Sequence, residues 1–290
     1  MSGKVNSDKK ILEPDPTEPT SETVDKSAVA EWLRAAAGPS LSEDLALALL
    51  KRADLPADVL ESLAKNTNAL KSRKVKIALV GHRHTPRHVS VPLARQLYTF
   101  ELMRVALSPI VPADIRISFD DILISRLKTV TLGERMTLAR RATGKVAAAL
   151  LLDVEDGDRK TLTDDAGKFD SRKFGNGKRF NTKSLSLETR VMQTALENPR
   201  LTEAMVISSV LRPMAKAALV SAVAKHPKWS KRREIRSALL RTEHLSLANA
   251  LKFGGEIAAP QLREILASSR LPVSTKNQLL RESDARDGAC

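Results

Sequence analysis

The residues best placed to do chemistry are three histidines within one short stretch. His82, His84 and His88 lie close together, with Arg83 and Arg87 between them. Imidazole nitrogens at this spacing can bind Zn²⁺ or Ni²⁺. The interleaved arginines, and the lack of a nearby carboxylate or thiolate, argue against such a site. We therefore predict no metal here, and interpret the segment as a solvated turn that gains positive charge below about pH 6.5.

Catalytic motifs are not found elsewhere in the sequence. The stretch 175–178, Gly-Asn-Gly-Lys, resembles a phosphate loop only faintly, because no strand precedes it. Asp120 and Asp121 fall in a helix-like segment, where adjacent side chains point about 100° apart and cannot share a proton. We predict that this pair lies on the surface. The sequence thus predicts a non-enzymatic protein without catalytic residues, cofactor or small-molecule substrate.

Basic residues recur at positions that are related by one constant offset along the chain. Residues 62–100 hold eight Lys or Arg and no acid, and residues 204–241 hold nine with one acid, Glu234. In a repeat protein, equivalent positions line up on one surface and can bind phosphate groups as a ladder. The alternative is a solvated helix face. The predicted basic face consists of Arg52, Lys65, Lys71, Arg73 and Lys76, matched by Arg212, Lys225, Lys231, Arg233 and Arg236.

Trp229 is the one aromatic residue inside a basic cluster, Lys228 to Arg233. A tryptophan beside lysine and arginine can stack on a nucleic-acid base. The alternative, which we favour, is that Trp229 fills the turn between two helices, because Ala69 stands at the matching position. The two interpretations differ in whether the ring is exposed.

The elements that position these residues are predicted from an internal repeat. Residues 39–112 align on residues 199–272 without a gap, and the residues match in kind. Such self-similarity is typical of solenoids. Short apolar stripes at helical spacing alternate with proline turns, and Ser42 and Thr202 have the character of helix N-caps. We predict an all-α solenoid of short helices in two homologous halves, with residues 111–117 as the only weak strand candidate.

The predicted organisation has five parts. A polar, proline-rich tail covers residues 1–26, and a first helical half with a middle repeat covers residues 27–153. A mobile basic insert follows at 154–187, a second half at 188–284, and a tail at 285–290. The insert interleaves phenylalanines with bases, which is typical of a segment that folds on a partner or of a linker that docks back on the repeats.

Composition limits the classes of partner. The 290 residues carry a formal net charge of +14, which favours nucleic acid, anionic membranes or acidic proteins as partners. The single cysteine, Cys290, excludes a disulfide framework. No apolar run reaches the roughly 18 residues of a membrane span. We expect a cytoplasmic protein.

Two turns carry a resemblance to known repeats. The segments Asn198-Pro199-Arg200-Leu201 and Ala224-Lys225-His226-Pro227 resemble the turns of bacterial HEAT-like and leucine-rich-variant repeats. The resemblance implies an α-solenoid used for binding. Some members carry an iron–sulfur cluster on cysteines that this chain lacks. A HEAT-like branch excises alkylated DNA bases, but no motif here matches its catalytic residues.

Two functions remain open from the sequence. The first is a scaffold or adaptor that binds a protein partner, expected to be acidic. The alternative is a HEAT-like protein that binds the phosphates of nucleic acid through the matched Lys and Arg positions. This alternative includes a DNA-repair enzyme similar to a glycosylase. Salt separates them, because phosphate contacts weaken steeply with ionic strength.

Overall fold

A computed structural model describes residues 26–152 and 187–287, except residue 214. Within these ranges the chain is all-helical, with seventeen α-helices and no strand. The helices of the first range are α1 (Lys26–Ala37), α2 (Glu43–Leu50), α3 (Ala57–Lys65), α4 (Thr67–Lys71), α5 (Arg73–Val80), α6 (Arg87–Ala94), α7 (Thr99–Ala106), α8 (Ala113–Arg126), α9 (Leu132–Arg141) and α10 (Gly144–Leu152). Those of the second are α11 (Leu187–Leu196), α12 (Glu203–Val210), α13 (Ala217–Lys225), α14 (Arg233–Leu240), α15 (Leu247–Gly255), α16 (Ala259–Ala267) and α17 (Val273–Asp287).

Side-chain caps begin several of these helices. Ser42 Oγ accepts a hydrogen bond from the Leu45 backbone N–H at 3.3 Å, and Thr202 Oγ1 accepts one from Met205 N–H at 3.4 Å. Each cap satisfies a donor that the first turn would otherwise leave unpaired. The predicted starts of α2 and α12 are therefore confirmed, as is the predicted division of α9 from α10 near Gly144.

Each helix packs mainly against helices that are near it in sequence. The apolar stripes join into one continuous core of Leu, Val, Ile and Ala, with Trp229 and Phe119 among its largest fully buried side chains. In the first range α2 packs on α5, α5 on α6, and α6 on α8. In the second range α12 packs on α14, α14 on α15, and α15 on α17. Helix α10 connects the ranges, because it contacts α8 as well as α11 and α12.

Helix starts in the two ranges are related by one constant offset. Helix α2 begins at residue 43 and α12 at 203, α5 begins at 73 and α14 at 233, and α8 begins at 113 and α17 at 273, so each pair differs by 160. The pairs α3 with α13, α6 with α15, and α7 with α16 differ by the same number. Matched sequence positions therefore also match in secondary structure.

Several expectations lie outside the described residues or need correction. The tail at 1–25 and nearly all of the insert, 154–186, lie outside. The weak strand candidate at 111–117 is not a strand, because Pro112 is the N-cap residue of α8 and the chain is helical from Ala113. Helix α17 continues to Asp287, into the predicted C-terminal tail. Among the described helices, none has the length and apolar character needed to cross a bilayer.

Candidate binding groove

Four positions of the predicted basic face connect one helical unit to the next. Arg73 donates to both carboxylate oxygens of Glu101 at 2.5 and 2.9 Å, and its guanidinium lies 3.0 Å from the centre of the Tyr98 ring. Arg233, at the matching position, donates to Gln261 Oε1. These side chains act as struts between α5 and α7 and between α14 and α16, and each commits part of its donors to the fold.

The second pair of struts repeats the pattern with different chemistry. Lys76 Nζ donates to Gln96 Oε1 at 3.1 Å. At the matching positions Arg236 forms an ion pair with Glu256, and its Nε also donates to the Ser230 carbonyl at 2.7 Å. Both pairs join residues 20 apart. The contact is thus retained while the residues that make it change.

The remaining positions of the predicted basic face differ in the ion pairs and hydrogen bonds that their side chains form. Arg52 forms an ion pair with Asp54 at 3.1 Å and lies over the Trp32 ring at 4.4 Å. Lys71 donates to Asn68 Oδ1 at 3.1 Å. The other four are exposed and have no ion pair or hydrogen bond within the described ranges: Lys65, Lys225, Lys231 and Arg212.

Trp229 is buried, with 2% of its surface exposed. Its indole Nε1–H donates to the Leu196 carbonyl at the end of α11, at 2.8 Å. In the first half, the Asn66 side chain donates to the Ala36 carbonyl at the matching helix end, at 2.9 Å. The burial agrees with the packing interpretation of Trp229 and leaves little of the ring for stacking on a base.

The predicted solvated turn is wrong for His82, which is buried, whereas His84 and His88 are exposed. His82 Nε2–H donates to the Arg52 carbonyl at 2.8 Å, and its Nδ1 accepts from the His84 backbone N–H at 3.2 Å. Only the neutral imidazole can do both, and burial lowers the pKa of His82. The side chain of His84 pairs with the Leu55 carbonyl at 3.0 Å. No metal-binding cluster occurs in the described residues.

The expectation that Asp120 lies on the surface is wrong. Its side chain is 7% exposed and accepts a hydrogen bond from Thr143 Oγ1 at 2.8 Å. Burial raises the pKa of Asp120, an effect that the Thr143 hydrogen bond and Lys145 oppose. Asp121 points outward to Lys145, with Nζ and Oδ1 2.6 Å apart. The hydrogen bond to Thr143 joins α8 to the start of α10, so Asp120 helps to hold these two helices together.

An open groove crosses the C-terminal ends of α2, α5 and α7. We call it groove 1; its volume is about 420 Å³, in the range of ligand sites. Its apolar lining includes Ile77, Ala78, Val105 and Ile110, and its basic lining Lys51, Arg52, Arg83 and Arg104. Ile110 is 63% exposed at its rim. The groove therefore combines an apolar floor with cations.

Three cations of groove 1 are exposed and without an ion pair among the described residues. These are Lys51, Arg83 and Arg104, each at or just past the end of a helix. None of them belongs to the predicted basic face. Arg83 lies in the acid-free stretch 62–100, which indicates a basic surface in this part of the chain. The residue matched to it in the second range, however, is Glu243. Only the packing of α2, α5 and α7 brings the three together.

A second groove lies at the matching place in the second range. Groove 2 has a volume of about 240 Å³ and is lined at residues 210–213, 241–244, 268 and 270, among others. Subtracting 160 from those numbers gives 50–53, 81–84, 108 and 110, and every one of these except 84 also lines groove 1. Groove 2 contains Arg212, Arg241 and Arg270, together with the acid Glu243.

Comparison of the chain with protein-family models, curated proteins and solved structures finds no match. Function is therefore inferred from the geometry of the described residues.

Proposed function

We propose that the chain is an α-solenoid of two homologous halves that acts as a binding scaffold for protein partners. The constant offset of helix starts and the recurrence of the same helix contacts support this architecture. The resemblance to HEAT-like and leucine-rich-variant repeats remains part of the proposal. No covalent chemistry is included in it.

Hydrogen bonds between units add a second, independent support. Asn66 to Gly38, His82 to Arg52, Arg126 to Arg95 and Ser269 to Leu240 each join a side chain to a backbone carbonyl 28 to 31 residues earlier. A constant spacing of this kind is what stacked repeat units of about 30 residues produce. Each unit then caps the helix ends of the unit before it.

The observation that carries the function is the repetition of an open groove at matched positions. In groove 1 the exposed Ile110 and the partly buried Ile77 and Ala78 lie beside unpaired cations, and a cleft with apolar lining and a few charged groups is typical of ligand sites. The partner that this surface favours is an acidic protein.

Nucleic acid remains the second candidate, and one observation favours it. Lys65, Lys225 and Lys231 are exposed on the predicted basic face without partners among the described residues. However, Arg73, Lys76, Arg233 and Arg236 each use part of their donors on contacts within the fold, so fewer donors remain for phosphate. The strut contacts therefore weaken the phosphate ladder without removing it.

The test is affinity capture of partners from cells that naturally produce the chain, with nuclease added. Three forms of the full chain are compared: the wild type, the groove variant K51E/R83E/R104E, and the ladder variant K65E/K225E/K231E. The two variants change the net charge equally. The proposal expects a reproducible set of proteins that the groove variant loses and the ladder variant keeps. A set that depends on intact nucleic acid and is lost in the ladder variant would establish the alternative.

A further inference from the structure

We propose that groove 1 binds an acidic segment of a partner protein in which apolar side chains stand next to carboxylates. The inference rests on the proposed scaffold function and names its ligand class. It depends on the charge balance of the groove, on its apolar lining, and on the position of both at one place on the surface.

The charge balance favours an anion. The ends of α2, α5 and α7 each contribute about half a negative charge. Arg52 is paired with Asp54, and His82 is neutral in its hydrogen-bonded form. The positive charges of Lys51, Arg83 and Arg104 exceed the half charges at the three helix ends, so groove 1 has a net charge of roughly +1.5. The same sum for groove 2 includes three arginines and Glu243, and its net charge is about one unit lower than that of groove 1.

The apolar lining sets the second requirement. Ile77 and Ala78 are partly buried in the groove, and Ile110 stands largely exposed at its edge. A ligand that carried only charge would leave this surface in water. Covering one aliphatic side chain is worth about 1.5 to 3 kcal/mol when burial is complete. A ligand with leucine or isoleucine beside its acids satisfies both requirements.

The same lining argues against a nucleic acid in this groove. No Trp, Tyr or Phe occurs among the described residues that line it. Single-stranded nucleic acids depend on aromatic rings for stacking, worth about 1 to 3 kcal/mol per base. Phosphate contacts alone would leave the isoleucines uncovered. The groove therefore fits a peptide better than a strand of bases.

The ligand class is tested with three fluorescein-labelled peptides of equal length, measured by fluorescence anisotropy against the full chain. One alternates Glu with Leu, one alternates Glu with Ser, and one alternates Gln with Leu. We expect the Glu-Leu peptide to bind at least about tenfold more tightly than either of the others, a difference of about 1.4 kcal/mol. Equal binding of the Glu-Leu and Glu-Ser peptides would overturn the apolar requirement, and no binding of any peptide would overturn the proposal.

The matched variants locate the site. K51E/R83E/R104E should weaken binding of the Glu-Leu peptide at least tenfold, by about 1.4 kcal/mol or more. K65E/K225E/K231E should change it by less than about threefold, because these lysines do not line the groove and are exposed to screening by salt. Ile110→Ser should also weaken binding, which checks the groove without altering charge. Equal losses in both triple variants would mean attraction to net charge alone and would overturn the site. If the peptides fail while affinity capture still depends on groove 1, the scaffold function stands and only the ligand class is wrong.

Discussion

At the scale of single residues, positions 160 apart preserve contacts more closely than they preserve residue types. Lys76 and Gln96 in one half become Arg236 and Glu256 in the other, yet the same positions are joined. The sequence shows which positions are basic, but each acceptor lies 20 residues away, in the turn that follows another helix. A cation on a helix face therefore looks solvated until the packing is known.

Trp229 gives a test of stability at this scale. Trp229→Phe keeps most of the buried ring but removes the donor to the Leu196 carbonyl. We expect the free energy of unfolding to fall by about 1 to 3 kcal/mol, because a buried acceptor is left unpaired. Urea denaturation measures the change.

Trp32→Phe is the matched control, since Trp32 is only partly buried and should lose less. If Trp229→Phe leaves stability unchanged but weakens binding to nucleic acid, the stacking interpretation is correct instead.

Asp120 gives a test that depends on pH. Its raised pKa means that the folded protein holds the proton more tightly than the unfolded chain, whose value is near 3.9. The cost of the buried charge is therefore absent below about pH 3.9 and is fully present above the folded pKa. Asp120→Asn keeps an oxygen that can accept from Thr143 and removes the ionisation. Its stability relative to the wild type should rise with pH.

Urea denaturation at a series of pH values gives this difference directly. Asp121→Asn, in an exposed ion pair with Lys145, is the control and should not show the rise. The difference in the free energy of unfolding between Asp120→Asn and the wild type could instead be independent of pH, or fall as pH rises. Either result would show that burial does not raise the pKa of Asp120.

At the scale of elements, the helices are short and their exposed carbonyl ends are capped from the next unit. Arg126 donates to the Leu97 and Arg95 carbonyls at 2.7 and 2.6 Å, just beyond the end of α6. Arg286, at the matching position of the second half, donates to the Gly254 and Gly255 carbonyls at the end of α15. The proline turns and the N-caps could be predicted from local sequence. These arginine caps could not, because each reaches a carbonyl of a different unit.

Arg126→Met therefore tests the capping between units. The variant keeps the aliphatic part of the side chain and removes the donors. Charged hydrogen bonds contribute about 1.5 to 3 kcal/mol each at most, so we expect a loss of that order in the free energy of unfolding. Arg95→Met, on a neighbouring exposed side chain, should change stability by less than about 0.5 kcal/mol. Equal effects in chemical denaturation would contradict the capping role.

Two helical glycines give opposite predictions for the same substitution. A Cβ at Gly144 would collide with the Arg200 carbonyl oxygen and with Met205 Sδ, whereas a Cβ at Gly133 would meet nothing within 4 Å. Gly133→Ala should stabilise the protein by about 0.5 to 1 kcal/mol through helix propensity. Gly144→Ala should destabilise it, because the backbone that it meets cannot move cheaply.

Thermal and urea denaturation of the two variants are compared side by side. Stabilisation by both substitutions would show that α10 does not pack closely on the turn between α11 and α12. That packing joins the first range of helices to the second.

At the scale of the whole molecule, the pattern of short apolar stripes was enough to predict the helices of the described residues, and the gapless alignment matched the start at Thr202 and the stripe of α14 to their counterparts in the first range. What it could not predict is the surface. Lys51, Arg83 and Arg104 come from three different helix ends, and their matched positions hold Leu211, Glu243 and Glu264. Matched basic residues therefore do not reveal groove 1, because the grooves share their lining positions rather than their charges.

The most direct test of the scaffold function is to titrate labelled duplex DNA and single-stranded RNA with the full chain, from low salt to about 0.15 M. We predict weak binding at low salt that K65E/K225E/K231E and K51E/R83E/R104E reduce alike, and no micromolar binding at the higher salt. Micromolar or tighter binding at about 0.15 M would contradict this prediction. If the ladder variant alone also lowers the log–log salt slope, by about 0.9 per lost phosphate contact for the duplex and about 0.7 for the single strand, a nucleic-acid-binding protein is established.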